Sequence, residues 1–137
     1  MAFPSIAERL LYSGNRGSVE YAVRSDGTME AKEWLDSQPA TKQMSFGVLF
    51  QRLAEQGFIH NEQQFRRLRD EVWEFKRGAD RLLCFHLGSR WLLTHRIKKS
   101  GGLGKCPPHE IGHAKTIGNE HVALEAKENN LKKKGGK

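Results

Sequence analysis

The stretch from Val72 to Lys99, VWEFKRGADRLLCFHLGSRWLLTHRIKK, constrains the fold more than any other part of the chain. Three apolar runs are separated by Arg77-Gly78-Ala79-Asp80 and by Gly88-Ser89, the punctuation of an antiparallel meander with tight hairpin turns. Two-residue loops at Gly78-Ala79 and Gly88-Ser89 predict the register by counting: Lys76 opposite Arg81, Arg81 opposite Arg96, and Leu82 opposite His95. Trp73, Phe75, Leu82, Cys84, Trp91, Leu93 and Ile97 then share the face a core requires, and His95 lies on it too. Trp73 and Trp91 read as core, not as a base-stacking platform. The other face carries three cations in a row. Like charges directly opposite one another destabilise a sheet, so the row points to a bound anion. One additional residue would scramble it.

At 137 residues, a single domain with a real core is the expectation. The formal charge of +7 and pI of about 9.6 favour a polyanionic partner, nucleic acid first. Four of the positive charges lie in the last seven residues; without them the body remains basic at +3. Two cysteines, Cys84 and Cys106, and no secretory leader fit a reduced, cytoplasmic protein. No apolar run approaches the roughly 18 residues of a membrane span.

Taken in order, Ser5 to Tyr12 predicts one or two helical turns capped by Ser5, and Gly14 to Gly17 a linker, so residues 1–17 read as an N-terminal extension. Ser18 to Arg24 alternates as a strand, and Ser25-Asp26-Gly27 turns the chain. Thr28 is placed to cap a helix carrying Ala31, Trp34 and Leu35. A second helix runs from Ala40 to Gln56 with Met44, Val48, Leu49 and Leu53 as its apolar stripe, and Gly57 sits at the C-cap. Phe65-Arg-Arg-Leu-Arg69 adds positive charge ahead of the meander, and a basic loop from Lys98 to Lys105 follows it. After Pro107 and Pro108 comes a last helix, about His109 to Lys127, with Ile111, Ala114, Ile117, His121 and Leu124 on its apolar side. Residues 128–137 read as a basic disordered tail, which leaves 18–127 as the domain. This order argues for α+β with helices on one sheet face.

His109-Glu110-Ile111-Gly112-His113 matches H-E-x-x-H, in which two histidines on one helix face bind zinc and the glutamate acts as general base. Two prolines place His109 in the first helical turn, and Thr116 and Asn119 stand where an extended motif needs Gly and His. Zinc hydrolysis with His109, Glu110 and His113 remains an alternative.

Glu33-Trp34-Leu35-Asp36, Leu53-Ala54-Glu55-Gln56-Gly57, Trp73-Glu74-Phe75-Lys76, Arg81-Leu82-Leu83, Leu92-Leu93-Thr94-His95 with Lys98-Lys99, and Pro107-Pro108-His109-Glu110-Ile111-Gly112-His113-Ala114 follow one another in a telling order. Together they resemble the RelE/HigB toxins of type II toxin–antitoxin modules, in particular the phage-derived HigB-like branch. The resemblance covers about Val19 to Val122. It implies a RelE/ParE-like α+β fold: a twisted antiparallel sheet with two N-terminal helices packed on one face and a C-terminal helix. It also implies a ribosome-dependent mRNA endoribonuclease that needs no cofactor, in which a ribose 2′-hydroxyl attacks the neighbouring phosphodiester. Arg81, Lys76, Arg96 and His95 would be its catalytic residues, and Arg69, Lys98, Lys99 and Lys105 would grip RNA. Lys76 stands where the family usually has Arg, and either His95 or Thr94 aligns with the family's histidine. A helix-turn-helix antitoxin that neutralises the basic face or blocks entry to the ribosome comes with the resemblance. Two relatives stay open beside it: a gyrase inhibitor on the same fold, and an RNA-binding module without catalysis.

Overall fold

The computed structural model describes residues 3–99 and 106–135. Its elements are α1 (Ile6–Arg9), β1 (Leu10–Ser13), β2 (Ser18–Tyr21), α2 (Glu30–Asp36), α3 (Ala40–Gln56), β3 (Phe65–Arg69), β4 (Val72–Arg77), β5 (Asp80–Leu87), β6 (Arg90–Lys98) and α4 (Pro108–Gly135). The architecture is α+β. Six strands form one sheet in the order β1-β2-β6-β5-β4-β3. Every neighbouring pair is antiparallel except β2 with β6, which run parallel.

Both hairpin loops of the meander hold two residues, and Gly78 and Gly88 sit at φ +57° and +62°, where a side chain would be strained. Lys76 therefore pairs with Arg81. The register then departs from simple counting. Cys84 pairs with Leu93 but Leu83 pairs with His95, leaving Thr94 as an additional residue in β6. A bulge of one residue moves every later side chain to the opposite face. Arg96 thus pairs with Leu82, not Arg81, and Ile97 pairs with Arg81. Ile97 leaves the face predicted for it and joins Val72, Leu83, Ile111 and Ala114 on the other.

The larger core packs α2 and α3 (Ala31, Leu35, Phe46, Leu49, Phe50, Leu53) onto Phe65, Phe75, Leu82, Cys84, Trp91 and Leu93. Trp73 and Trp91 meet edge to face at 5.4 Å within it. The stripe of α3 is turned from the one expected: Met44 is 70% and Val48 49% exposed, while Phe46 and Phe50 are buried against the sheet. Aromatic volume facing Phe75 decides between the two possible stripes. The helices do not share one face. The last helix covers the opposite side, where Ile111 and Ala114 meet Leu83, and Ile117 meets Phe85 and Leu92.

Several element ends also differ from the sequence reading. Met29, not Thr28, precedes α2, and Thr28 bonds Asp26 within the turn. Ser5 makes a reciprocal capping box with Glu8, but the chain then becomes strand β1 at Leu10. The segment read as a disordered tail continues α4 to Gly135, because Lys, Glu and Leu are good helix formers whatever their charge. Phe65–Arg69, read only as charge, is the edge strand β3.

Close contacts tie the first residues to the body. A Cβ on Gly17 would collide with the Ser89 carbonyl oxygen. Gly17→Ala is expected to lower stability by about 1–3 kcal/mol or more by overpacking, read as a fall in urea midpoint with an unchanged slope. A loss under about 0.5 kcal/mol would show that β2 can shift from β6 freely.

Candidate functional site

Lys76 and Arg81 face each other across β4 and β5, on the side of the sheet that α4 covers further along. Arg81 Nη1 donates to the carbonyls of Gly78 at 2.7 Å and Asp80 at 3.1 Å, which fixes the guanidinium at the turn. Glu74, two residues before Lys76, is 2% exposed, and Arg66 holds its Oε2 with bonds of 2.8 and 3.2 Å. The Arg81 Nε lies 4.0 Å from the other carboxylate oxygen. Burial lowers the Lys76 pKa from its ordinary value, Arg66 lowers it further, Glu74 opposes, and Arg81 and Lys99 add smaller depressions. Arg66, Lys76, Arg81 and Lys99 thus share one electrostatic neighbourhood with a single buried carboxylate. Its cations are placed for an anionic ligand.

The third cation of the expected row lies elsewhere. Beyond the bulge Arg96 turns to the α2–α3 side, where its Nε and Nη2 bind Asp80 Oδ1 at 3.0 and 2.7 Å, and its guanidinium stacks 5.2 Å from the Trp34 ring centre. Lys42 takes the other oxygen at 2.8 Å. Burial alone would raise the Asp80 carboxyl, but Lys42 and Arg96 outweigh it and hold it below the usual range.

The same bulge sends His95 to the α4 side. It is 5% exposed, its Nε2 lies 3.2 Å from Glu110 Oε1, and Thr94 Oγ1 is 3.2 Å from its Nδ1. His113 meets it edge to face at 4.6 Å and also lies 3.5 Å from Glu30. Burial and the neighbouring His113 lower the His95 pKa, with Glu110 opposing. Glu110 and His113 of the H-E-x-x-H motif are thus partners of His95, while His109 is exposed.

Of the other expected contacts, Lys98 and Lys99 are exposed at the end of β6 and Arg69 is exposed at the end of edge strand β3. Lys105 lies outside the described residues. Burial pushes the Cys106 thiol up to about 11, so it stays protonated and is no nucleophile.

No spacing announces a second cluster, whose members lie up to 116 residues apart. Glu20, His121 and Glu125 form the one group of three possible metal ligands among the described residues, within 4.8 Å of one another. An ion does not fit there. Arg90 Nη2 already bridges the carboxylates at 3.0 Å from Glu20 and 2.6 Å from Glu125, and Arg9 reaches Glu20 at 2.8 Å. Two carboxylates balance two guanidinium groups, and a metal would leave that buried charge uncompensated.

The family model "Phage derived protein Gp49-like (DUF891)" matches residues 33–117, more than half of the chain. The chain belongs to the Gp49-like family. That family is associated with RelE/HigB-type toxins of toxin–antitoxin modules, and membership implies a cognate antitoxin. No curated protein matches the chain. The Gp49-like match spans α3, the meander and the first turns of α4, and so contains both Lys76 and Arg81. Among the described residues no helix is long and apolar enough to cross a membrane.

Proposed function

We propose that this Gp49-like protein is the toxin of a type II toxin–antitoxin module, a RelE-like endoribonuclease that cuts mRNA on the ribosome in the cytoplasm. The pairing of Lys76 with Arg81 above the Arg66–Glu74 ion pair carries the reading. In the reaction a ribose 2′-oxygen attacks the adjacent phosphorus and the bond to the 5′-oxygen breaks; the departing 5′-oxygen takes a proton from solvent water, and a 2′,3′-cyclic phosphate and a 5′-hydroxyl result. Lys76, whose ammonium is disfavoured by burial and by Arg66, is assigned the 2′-hydroxyl proton. Arg81 is assigned the charge that develops on the pentavalent phosphorus, for which its planar fork suits two oxygens. Lys99 and Arg69 are assigned to backbone phosphates. His95 lies buried against Glu110 and His113, so its part is to position the start of α4. The antitoxin, proposed to carry a helix-turn-helix, would neutralise this basic side or block entry to the ribosome.

The test adds purified protein to a cell-free translation reaction and maps new mRNA 5′ ends by primer extension. Cuts in register with the reading frame are expected, slowed by about 10²–10³-fold in Arg81→Ala and in Lys76→Ala. Intact mRNA with the unaltered protein would refute the nuclease reading.

A further inference from the structure

On the α3 side of the β4–β5 hairpin, away from Lys76, lies an open cavity of about 540 Å³. Lys42, Arg77, Arg96 and Lys98 line it around one carboxylate, Asp80. Asp80 accounts for two of these cations, since it bonds Lys42 and Arg96. The other two bond no carboxylate among the described residues: Arg77 donates its Nε to the Ser45 carbonyl at 3.0 Å, and Lys98 has no ion-pair partner there. Four cations facing one carboxylate in a concave wall raise the local potential for anions. The ridge between this cavity and the Lys76–Arg81 side is the turn Gly78-Ala79. Nothing lies within 4 Å of where a Gly78 side chain would begin, so the ridge is low and open on top.

We propose that this cavity binds backbone phosphate of single-stranded RNA, which crosses the Gly78-Ala79 turn to reach Lys76 and Arg81. Lys98 and Arg77 contact the phosphate directly, and Asp80 holds Lys42 and Arg96 beside it. This rests on the nuclease reading only for the destination of the strand. It explains why the Thr94 bulge is tolerated: Arg96 serves the same polyanion from the second side of the hairpin.

The test uses a short fluorescent 2′-O-methyl oligouridylate, which cannot supply the attacking hydroxyl, and follows its binding by anisotropy across a potassium chloride series. Arg77→Gln with Lys98→Gln removes the two direct contacts. The slope of log affinity on log salt should fall by about 1.4, at roughly 0.7 for each single-strand phosphate contact. Affinity at about 0.1 M salt should then drop about 25-fold, the two proteins converging near 1 M. Lys32→Gln with Lys127→Gln, an equal change of charge elsewhere, should leave the slope within about 0.3. An unchanged slope, an equal fall in the control pair, or no binding by the unaltered protein overturns the proposal. Cleavage in the translation reaction is scored separately. Binding through the cavity without mRNA cleavage would leave this inference standing and remove the nuclease reading; cleavage with an unchanged slope would do the reverse.

Discussion

Replacing Glu20 with alanine should lower the unfolding free energy by about 3–5 kcal/mol, the usual result of stripping one partner from a buried ion pair. Glu20 is 2% exposed and receives Arg9 Nη1 at 2.8 Å and Arg90 Nη2 at 3.0 Å. Without it Arg9, itself only 8% exposed, keeps the Pro4 carbonyl at 2.9 Å but no carboxylate nearer than a Glu125 oxygen at 3.9 Å. A guanidinium would be left in a dry site with too few acceptors, and β1 would lose its anchor. Urea unfolding measures the loss. Glu20→Leu combined with Arg9→Met should recover much of it, because the pair is costly to break but not to replace with apolar groups. A single-variant loss below about 1 kcal/mol would mean that water enters the cluster and screens it.

The second large effect is expected in acid. His121 is fully buried; its Nδ1 accepts the Val23 amide at 2.9 Å, and its Nε2 has no hydrogen-bond partner. Burial, aided by Arg9 and Arg90 and opposed by Glu125 and Glu20, depresses its pKa to about 4. An unfolded chain takes up that proton near 6.5. The folded protein therefore binds fewer protons in between, and its stability falls as pH drops from about 6.5 to about 4. At about 1.36 kcal/mol for each unit of pKa, His121 accounts for about 3 kcal/mol of that loss, which is complete below about 4. His95, also depressed by burial, adds to the same slope. His121→Asn keeps an acceptor for Val23 but cannot titrate. It should be less stable at neutral pH and show a shallower decline between about 6.5 and 4. Parallel curves for the two proteins would exclude His121 as the source.

Local chemistry made the meander, α3 and its Gly57 cap legible in the sequence, since each is specified within a few residues. What escaped was long-range. Nothing near Thr94 distinguishes a bulge from regular strand, because threonine suits either and the apolar alternation continues around it. The choice is made by Asp80, a buried carboxylate that draws Arg96 across the sheet. That one residue broke the expected Lys76–Arg81–Arg96 row and moved His95 away from the larger core. Phe46 and Phe50 were likewise indistinguishable from Met44 and Val48 until the aromatic rings of the sheet were in place. The Arg9–Glu20–Arg90–Glu125–His121 cluster joins four separate elements, so no spacing could announce it.

The parallel pairing of β2 with β6 also sets when the molecule can be completed. Val19 and Tyr21 find Trp91 and Leu93 as their sheet partners some seventy residues later in the chain, and Arg9 meets Glu125 beyond that. A chain emerging from N- to C-terminus therefore carries β1 and β2 as an unsatisfied hairpin while α2, α3 and most of the meander appear. Closure of so long a loop comes late and slowly. The protein passes most of its synthesis with an incomplete sheet, and its basic groove is assembled only when the last strand has arrived.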